Sequence, residues 1–205
     1  MRPLTQLEAI GVPLPAADID TDQIVPARFM HVRRVDYGRY FFHDLRFDPT
    51  SGAERQSFVL NRPGYQGAQI LVVGPNFGCG SSREQAVHTL ADFGIRALVG
   101  TSFGDIFHNN CLKNGVLPIR VDAGFVAALL FFLEETPGAR VRVDLPNQRV
   151  TAPDGSSTGF DIDPFPKEAL IGGLDEIDVT LRFAAAIDAY ERMRGVGHPM
   201  TNEQE

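Results

Sequence analysis

Cysteine is scarce in this chain: Cys79 and Cys111 are the only two in 205 residues. Two thiols cannot build the multi-bridge framework of a small secreted scaffold, and they suit a reducing, cytoplasmic compartment. They also fall short of the three or four thiolates that a cubane iron–sulfur cluster takes. No Cys/His group has zinc-finger spacing, and no two of His31, His43, His88, His108 and His198 stand four residues apart as in a helical metal site. No metal is therefore expected in this chain. Long apolar runs are missing too. The longest, Phe125 to Leu133, falls well below the roughly 20 residues that span a bilayer. The first residues lack a basic stretch followed by an apolar one, so neither a secretory signal nor membrane association is expected. Positive charge is in deficit, and a net charge of −7 argues against general nucleic-acid binding.

The remaining composition, 43% hydrophobic and 22% charged, is that of a soluble globular chain. Its length supports one sizeable core and one domain. Periodicity reads a strand at 4–12 and a polar loop at 18–26, with a surface loop at 49–56. Strand 69–74, helix 82–93, strand 95–100, helix 103–113 and strand 116–121 then alternate. Gly94 and Gly115 close the two helices. Helix 124–135 stops before Pro137, and 140–145 with 148–152 form a hairpin across Pro146-Asn147. Strand 158–163, helix 165–171, strand 175–183 and helix 184–194 follow, with 196–205 as a loose tail. This order implies a single α/β domain over 1–195 with a mixed, barrel-like sheet.

The most informative stretch is Gly78-Cys79-Gly80-Ser81-Ser82-Arg83-Glu84, between an apolar strand and a helix. Glycines allow a sharp turn and close approach of a ligand. Two hydroxyls and a guanidinium stand where a helix begins, and free amides at a helix N-terminus favour anions. Arg83 can grip a carboxylate through two parallel bonds. Ser81-x-x-Glu84 also reads as a capping box, which needs no ligand. Capping alone does not explain why two glycines, a cysteine, a second serine and an arginine crowd one turn. A P-loop is excluded because no lysine lies near the turn, and Arg83 stands where the dinucleotide fingerprint requires a third glycine. A thiol hydrolase using Cys79 with His88 or His108 fails on sterics. Phe77 and Ser81 occupy the outer positions where a nucleophile elbow needs glycine.

Residues 28–46 are locally basic. Arg28, Arg33, Arg34, Arg39 and Arg46 oppose Asp36 and Asp44, a net of +3 from five arginines and two aspartates. The segment reads either as a solvated surface or as an electrostatic lip for an anionic substrate. Tyr37, Tyr40, Phe41 and Phe42 imply that it also buries something, a core edge or a partner. Residues 28–40 show no regular period, so their order is expected to depend on a partner.

Gly-Ser-Ser-Arg-Glu at 80–84 resembles the signature of the aconitase superfamily's swivel domain. Asp20-Thr21-Asp22-Gln23-Ile24-Val25-Pro26 resembles that domain's opening motif. Thr101 to Phe107, with Asn110 and Asn114-Gly115-Val116-Leu117-Pro118, resembles its third. Order, spacing and the ending, from Asp163-Pro164-Phe165 to Ala189-Tyr190-Glu191, resemble the stand-alone small subunits of the 3-isopropylmalate dehydratase family over nearly the whole chain. The resemblance implies a swivelling β/β/α domain and a hydro-lyase of leucine biosynthesis that interconverts 2- and 3-isopropylmalate. It implies a large-subunit partner carrying a [4Fe-4S] cluster, whose iron acts as Lewis acid on the leaving hydroxyl of a carboxylate-rich hydroxy acid. The heterodimer would be the minimal active unit. Carried over by motif, Ser81 is the base as its alkoxide and Asp22 assists the proton transfer. Ser82 and Arg83 bind a substrate carboxylate, and Arg28, Arg33 and Arg34 of the basic segment line the substrate's approach. Gln85 stands where histidine often follows the glutamate, and His88 lies in a stretch usually apolar or aromatic, which leaves the substrate open among homoaconitate, citraconate or citramalate, and dimethylmalate. Outside the superfamily, the turn suits a cluster-free anion-binding or regulatory module.

Overall fold

The fold is that of a computed structural model, which describes residues 1–194. The tail expected at 196–205 lies outside the described residues.

Strand β1 (Gln6–Leu14) leads through helix α1 (Thr21–Ile24), 3-10 turns at Ala27–Phe29 and Tyr37–Tyr40, and helix α2 (His43–Arg46). Two further 3-10 turns precede β2 (Ile70–Val73). The alternating middle follows as α3 (Glu84–Phe93), β3 (Ala97–Gly100), α4 (Asp105–Lys113) and β4 (Leu117–Arg120). After α5 (Ala123–Glu135) come β5 (Arg140–Asp144), β6 (Arg149–Thr151), β7 (Ser157–Gly159), α6 (Pro164–Gly172), α7 (Glu176–Leu181) and α8 (Ala184–Arg194).

The strands form one sheet in the order β4-β3-β2-β1-β5-β6-β7. Pairing is parallel from β4 to β1 and antiparallel from β1 to β7. The mixed, barrel-like sheet is thus present as a half-barrel. Strands β2 and β3 are buried at every position, as parallel strands covered on both faces are. The period of two divides them between two cores. Leu71, Val73 and Leu98 face one with Val12, α3 and α4, while Ile70, Val72, Ala97 and Val99 face the other with α5 and α6. Each such side chain contributes roughly 1.5–3 kcal/mol by leaving water.

The aromatic part of the basic segment is a core edge. Tyr37, Tyr40, Phe41 and Phe42 are buried in the first core. Gly38 lies so close to α3 that an added Cβ would come within 2.6 Å of the Phe93 backbone nitrogen. Arg46 is a buried pin: its Nε donates to Asn61 Oδ1 at 3.1 Å, and its guanidinium sits 4.9 Å from the centroids of both Phe47 and Phe93.

One expected element has the wrong type. In 175–183 the alternation of Ile177, Val179, Leu181 and Phe183 with polar residues predicts a strand, yet 176–181 form α7. Asp175 and Asp178 cap it reciprocally, each side chain accepting from the other's backbone amide. That local box outweighs an alternation with no neighbouring strand to pair with. The strand expected at 158–163 is likewise confined to β7.

If Phe41 is structural rather than awaiting a partner, Phe41→Ala should cost roughly 3–5 kcal/mol in urea unfolding of this chain alone. A loss below about 1 kcal/mol would detach the segment from the core.

Candidate active site

The C-terminal ends of β1, β2 and β3 lie side by side, and the loops leaving them stay paired. Gly78 N–H donates to Ile19 O at 2.7 Å, and Thr21 N–H donates to Cys79 O at 3.0 Å. On the other side Phe77 N–H donates to Ser102 O at 3.3 Å, and Gly104 N–H donates to Phe77 O at 2.9 Å. Open α/β sheets bind ligands at this end of their strands. Glycine is required for the closeness. Gly78 has φ +74°, and a Cβ there would lie 2.2 Å from the Phe107 ring; one on Gly104 would lie 2.5 Å from Gly78 O.

The expected capping box at Ser81 and Glu84 does not form. Helix α3 starts two residues later than read, at Glu84, with Arg83 as an N-cap whose side chain makes no capping bond. The chain is still turning at Ser81, whose carbonyl accepts from Thr21 Oγ1 at 3.0 Å and from Arg83 N–H at 2.8 Å. Glu84 is engaged by Asn114 Nδ2 at 3.0 Å instead. The leading amides of α3 therefore keep no side-chain cap, which strengthens the case for an anion there. The box is found at α1, where Asp20 and Gln23 cap each other.

Three sequence-derived candidates are brought together. Arg83 Nη1 pairs with Asp22 Oδ1 of α1, and Thr21, next to Asp22, holds Ser81. Ser81 and Ser82 are both exposed, so their hydroxyls are open to a ligand. Arg83 is largely enclosed, at 14% side-chain exposure, whereas Asp22 is open at 55%.

The basic-segment arginines are not at the turn. Arg34 pairs with Asp92 in the last turn of α3, roughly 13 Å along the axis from Arg83 at 1.5 Å per residue. Arg28 pairs with Asp44, stacks over Phe29 and lines a cavity of about 780 Å³ with Arg39, Tyr40, His43 and Phe47, which does not include Ser81, Ser82 or Arg83. Arg33 is exposed, with no ion pair among the described residues.

Electrostatics disfavour a thiol nucleophile. Burial, with Asp18 and Asp20 nearby, pushes the Cys79 thiol up, and burial alone pushes Cys111 well up. Burial, followed by Arg34, lowers His88, and burial followed by Arg120 lowers His108, so both are neutral at neutral pH. Sequence reasoning missed Thr21, Asn114 and Ser102 as supports. All three stand in quoted motifs, but their roles come from contacts across the loops: Ser102 Oγ accepts from Asn76 N–H at 2.8 Å.

Comparison with known proteins bears on the family and the fold. A family model described as the aconitase C-terminal domain matches residues 1–124, and one described as LeuD_N matches 128–164. The 3-isopropylmalate dehydratase small subunit of Rhodopseudomonas palustris strain BisA53 is 49% identical over 192 residues, 93% of this chain and 95% of the relative. That of Paracoccus denitrificans is 46% identical over 200 residues, 97% and 99% of the two chains. A solved 3-isopropylmalate dehydratase structure from Methanocaldococcus jannaschii superposes with a TM-score of 0.64 at 22% identity, covering 91% of this chain and 99% of that one, and speaks for the fold.

The Arg28 pair has a pH signature. Arg28 first, then His43, hold the Asp44 carboxyl down at about 2, below its ordinary 3.8. A depressed carboxyl stabilises the fold above its unfolded value, and that stability is lost as pH falls from about 4 towards 2. Carboxyl NMR titration of Arg28→Ala should move the Asp44 midpoint back up but short of 3.8, because His43 remains; an unmoved midpoint would remove the pair.

Proposed function

We infer function from one premise: the chain belongs to the family of 3-isopropylmalate dehydratase small subunits. It is the small subunit of a hydro-lyase that interconverts 2- and 3-isopropylmalate by dehydration and rehydration in leucine biosynthesis. The observation that carries the site assignment is the meeting of Asp22, Ser81 and Arg83 at the strand ends. The relatives are named for isopropylmalate, which sets aside homoaconitate, citraconate or citramalate, and dimethylmalate as the first choice.

Dehydration needs a base at the C–H beside a carboxylate, a grip on that carboxylate and an acceptor for the leaving hydroxyl. This chain supplies the first two. Arg83, with Ser82, binds the carboxylate. A planar fork suits two carboxylate oxygens, and the enclosed guanidinium gains from its partial removal from water. Ser81 Oγ takes the proton. A serine alkoxide is untenable in water, but uncapped helix amides and an arginine next but one in the chain lower its cost. Asp22, open to solvent, pairs with Arg83 until a substrate carboxylate arrives and then serves proton exchange at Ser81.

The third function lies outside this chain. Cys79 in the turn and fully buried Cys111 on α4 do not fit a cubane's ligand set, and among the described residues no group of three or more His, Cys, Asp or Glu side chains is arranged to hold a metal. The [4Fe-4S] cluster implied by the superfamily is assigned to the large subunit, and the heterodimer is the minimal active unit. The exposed basic segment, Arg28, Arg33 and Arg34 included, faces substrate or partner when the subunits close.

Reconstitution with the large subunit tests this. The chain alone should show neither iron–sulfur absorbance nor turnover. In the complex, Ser81→Ala should lower kcat about 10²–10⁴-fold, as expected for loss of a general base. Arg83→Lys should lower kcat/KM roughly 10–100-fold, the value of a charge-assisted hydrogen bond. Turnover by the isolated chain would sink the two-subunit assignment, and wild-type kinetics in either variant would remove that residue from the site.

A further inference from the structure

Away from the catalytic turn, the start of β3 lies beside the first residues of the chain and the C-terminal end of α4. These surround a cavity of about 480 Å³ whose lining includes Arg2, Arg34, Arg96 and Lys113. Asp175 is the one acidic residue in that lining. Two of the four cations are already neutralised: Arg34 by Asp92, and Lys113 by Glu176 at 2.8 Å. The other two are not. Arg2 and Arg96 form no ion pair among the described residues.

Arg96 is the anomalous member. Its Nη2 donates to the carbonyls of Arg2, at 2.8 Å, and Pro3, at 3.2 Å, which staples the N-terminal segment. Its Nε is the one buried side-chain nitrogen or oxygen among the described residues without a hydrogen-bond partner. Stapling explains Nη2 and leaves Nε unsatisfied. Buried polar groups are paired with few exceptions, and an unpaired donor on a cation is among the costlier ones. The charged neighbour that bears on Arg96 is Arg2, of the same sign. Nε itself is enclosed, but the half-buried guanidinium lines the cavity beside a like charge, and neither arginine has a carboxylate partner among the described residues.

We propose that this cavity is a second anion site, separate from the catalytic turn, which takes a small multivalent oxyanion between Arg96 and Arg2. Phosphate and short di- or tricarboxylates share the required chemistry: at least two negative oxygens, compact enough for the space. The position gives the site a bearing on the rest of the molecule. Arg34 belongs to the basic segment, and Asn114, also in the lining, holds Glu84 in the first turn of α3. The cavity therefore borders the basic segment and the residue that engages the start of α3. The proposal does not rest on the identity of the substrate.

Titration calorimetry of the full chain with inorganic phosphate, and separately with malonate, tests it at low and high salt. One-to-one binding that weakens with salt is expected, and the tighter of the two anions identifies the source chemistry. Arg2→Gln, an exposed position whose side chain makes no hydrogen bond in the structure, should weaken binding about fivefold, as for loss of one partly exposed ion pair. Arg96→Gln removes the half-buried charge and should weaken it further. Arg83→Gln should leave this binding unchanged, which separates the site from the catalytic turn. Absence of binding at millimolar anion, wild-type affinity in both Arg2→Gln and Arg96→Gln, or loss in Arg83→Gln alone would each overturn the proposal.

Discussion

The interaction on which the rest of the structure depends is the backbone pairing that continues past the ends of β1, β2 and β3. A parallel strand normally releases its chain into a free loop. Here the three loops remain tied by Ile19–Gly78, Cys79–Thr21 and Phe77–Gly104 contacts up to the starts of the helices that follow. Most main-chain groups in that layer pair with one another, with Thr21 and Ser102 as side-chain supports, so the exposed Ser81 and Ser82 hydroxyls above it are open. The constraint dictates composition. Chains this close leave no room for Cβ at Gly78 or Gly104, and only glycine takes φ +74° without strain. The glycines of the turn therefore reflect packing first, and the exposed serines and arginine follow from where that packing puts them.

The same layer depends on cores on both faces of the sheet. Phe77, Phe103 and Phe107 are buried directly beneath the turn and belong to the core that Tyr37, Tyr40, Phe41 and Phe42 complete. The segment between α1 and α2 is thus two things at once. Its aromatic side chains close a core under the candidate site, and its arginines decorate the outside. Phe42 N–H donates to Ile24 O at 2.8 Å, so the segment is also pinned to the helix that carries Asp22.

Much of this was legible in the sequence, for identifiable reasons. The alternation of β2, α3, β3, α4 and β4 was clear because apolar runs and closing glycines bounded each element. Ser81, Asp22 and Arg83 were legible as a group only through motif resemblance, since sixty residues of chain separate Asp22 from the turn. Two local readings failed. The capping box at Ser81 looked sound by spacing, but a hydrogen bond from Thr21 on another segment holds Ser81 off the helix. The alternation at 177–183 looked like a strand, but Asp175 and Asp178 cap a helix there. In both cases the deciding contact was invisible to periodicity: one was long-range, and the other was a short polar box competing with an apolar pattern. The arginines of the basic segment were grouped by charge, yet folding gives each a different carboxylate, Asp44 for Arg28 and Asp92 for Arg34.

With Arg83 in its proposed role, its pair with Asp22 accounts for the need of a partner. In the subunit by itself the guanidinium already has a carboxylate, held on α1 by the same loop layer. Under the proposed function a substrate carboxylate exchanges with Asp22, so the net gain from binding this chain alone would be the difference between two ion pairs. Asp22 is more than half exposed, so water screens its side of the pair and favours its displacement. The guanidinium itself is enclosed, and any further exclusion of water raises the value of whichever anion it holds. A surface that closes over the turn therefore strengthens the substrate's claim on Arg83 while Asp22, on the open side, gains less. On that proposal affinity would arise on closure rather than before it, as a site divided between grip on one subunit and leaving-group chemistry on the other would require.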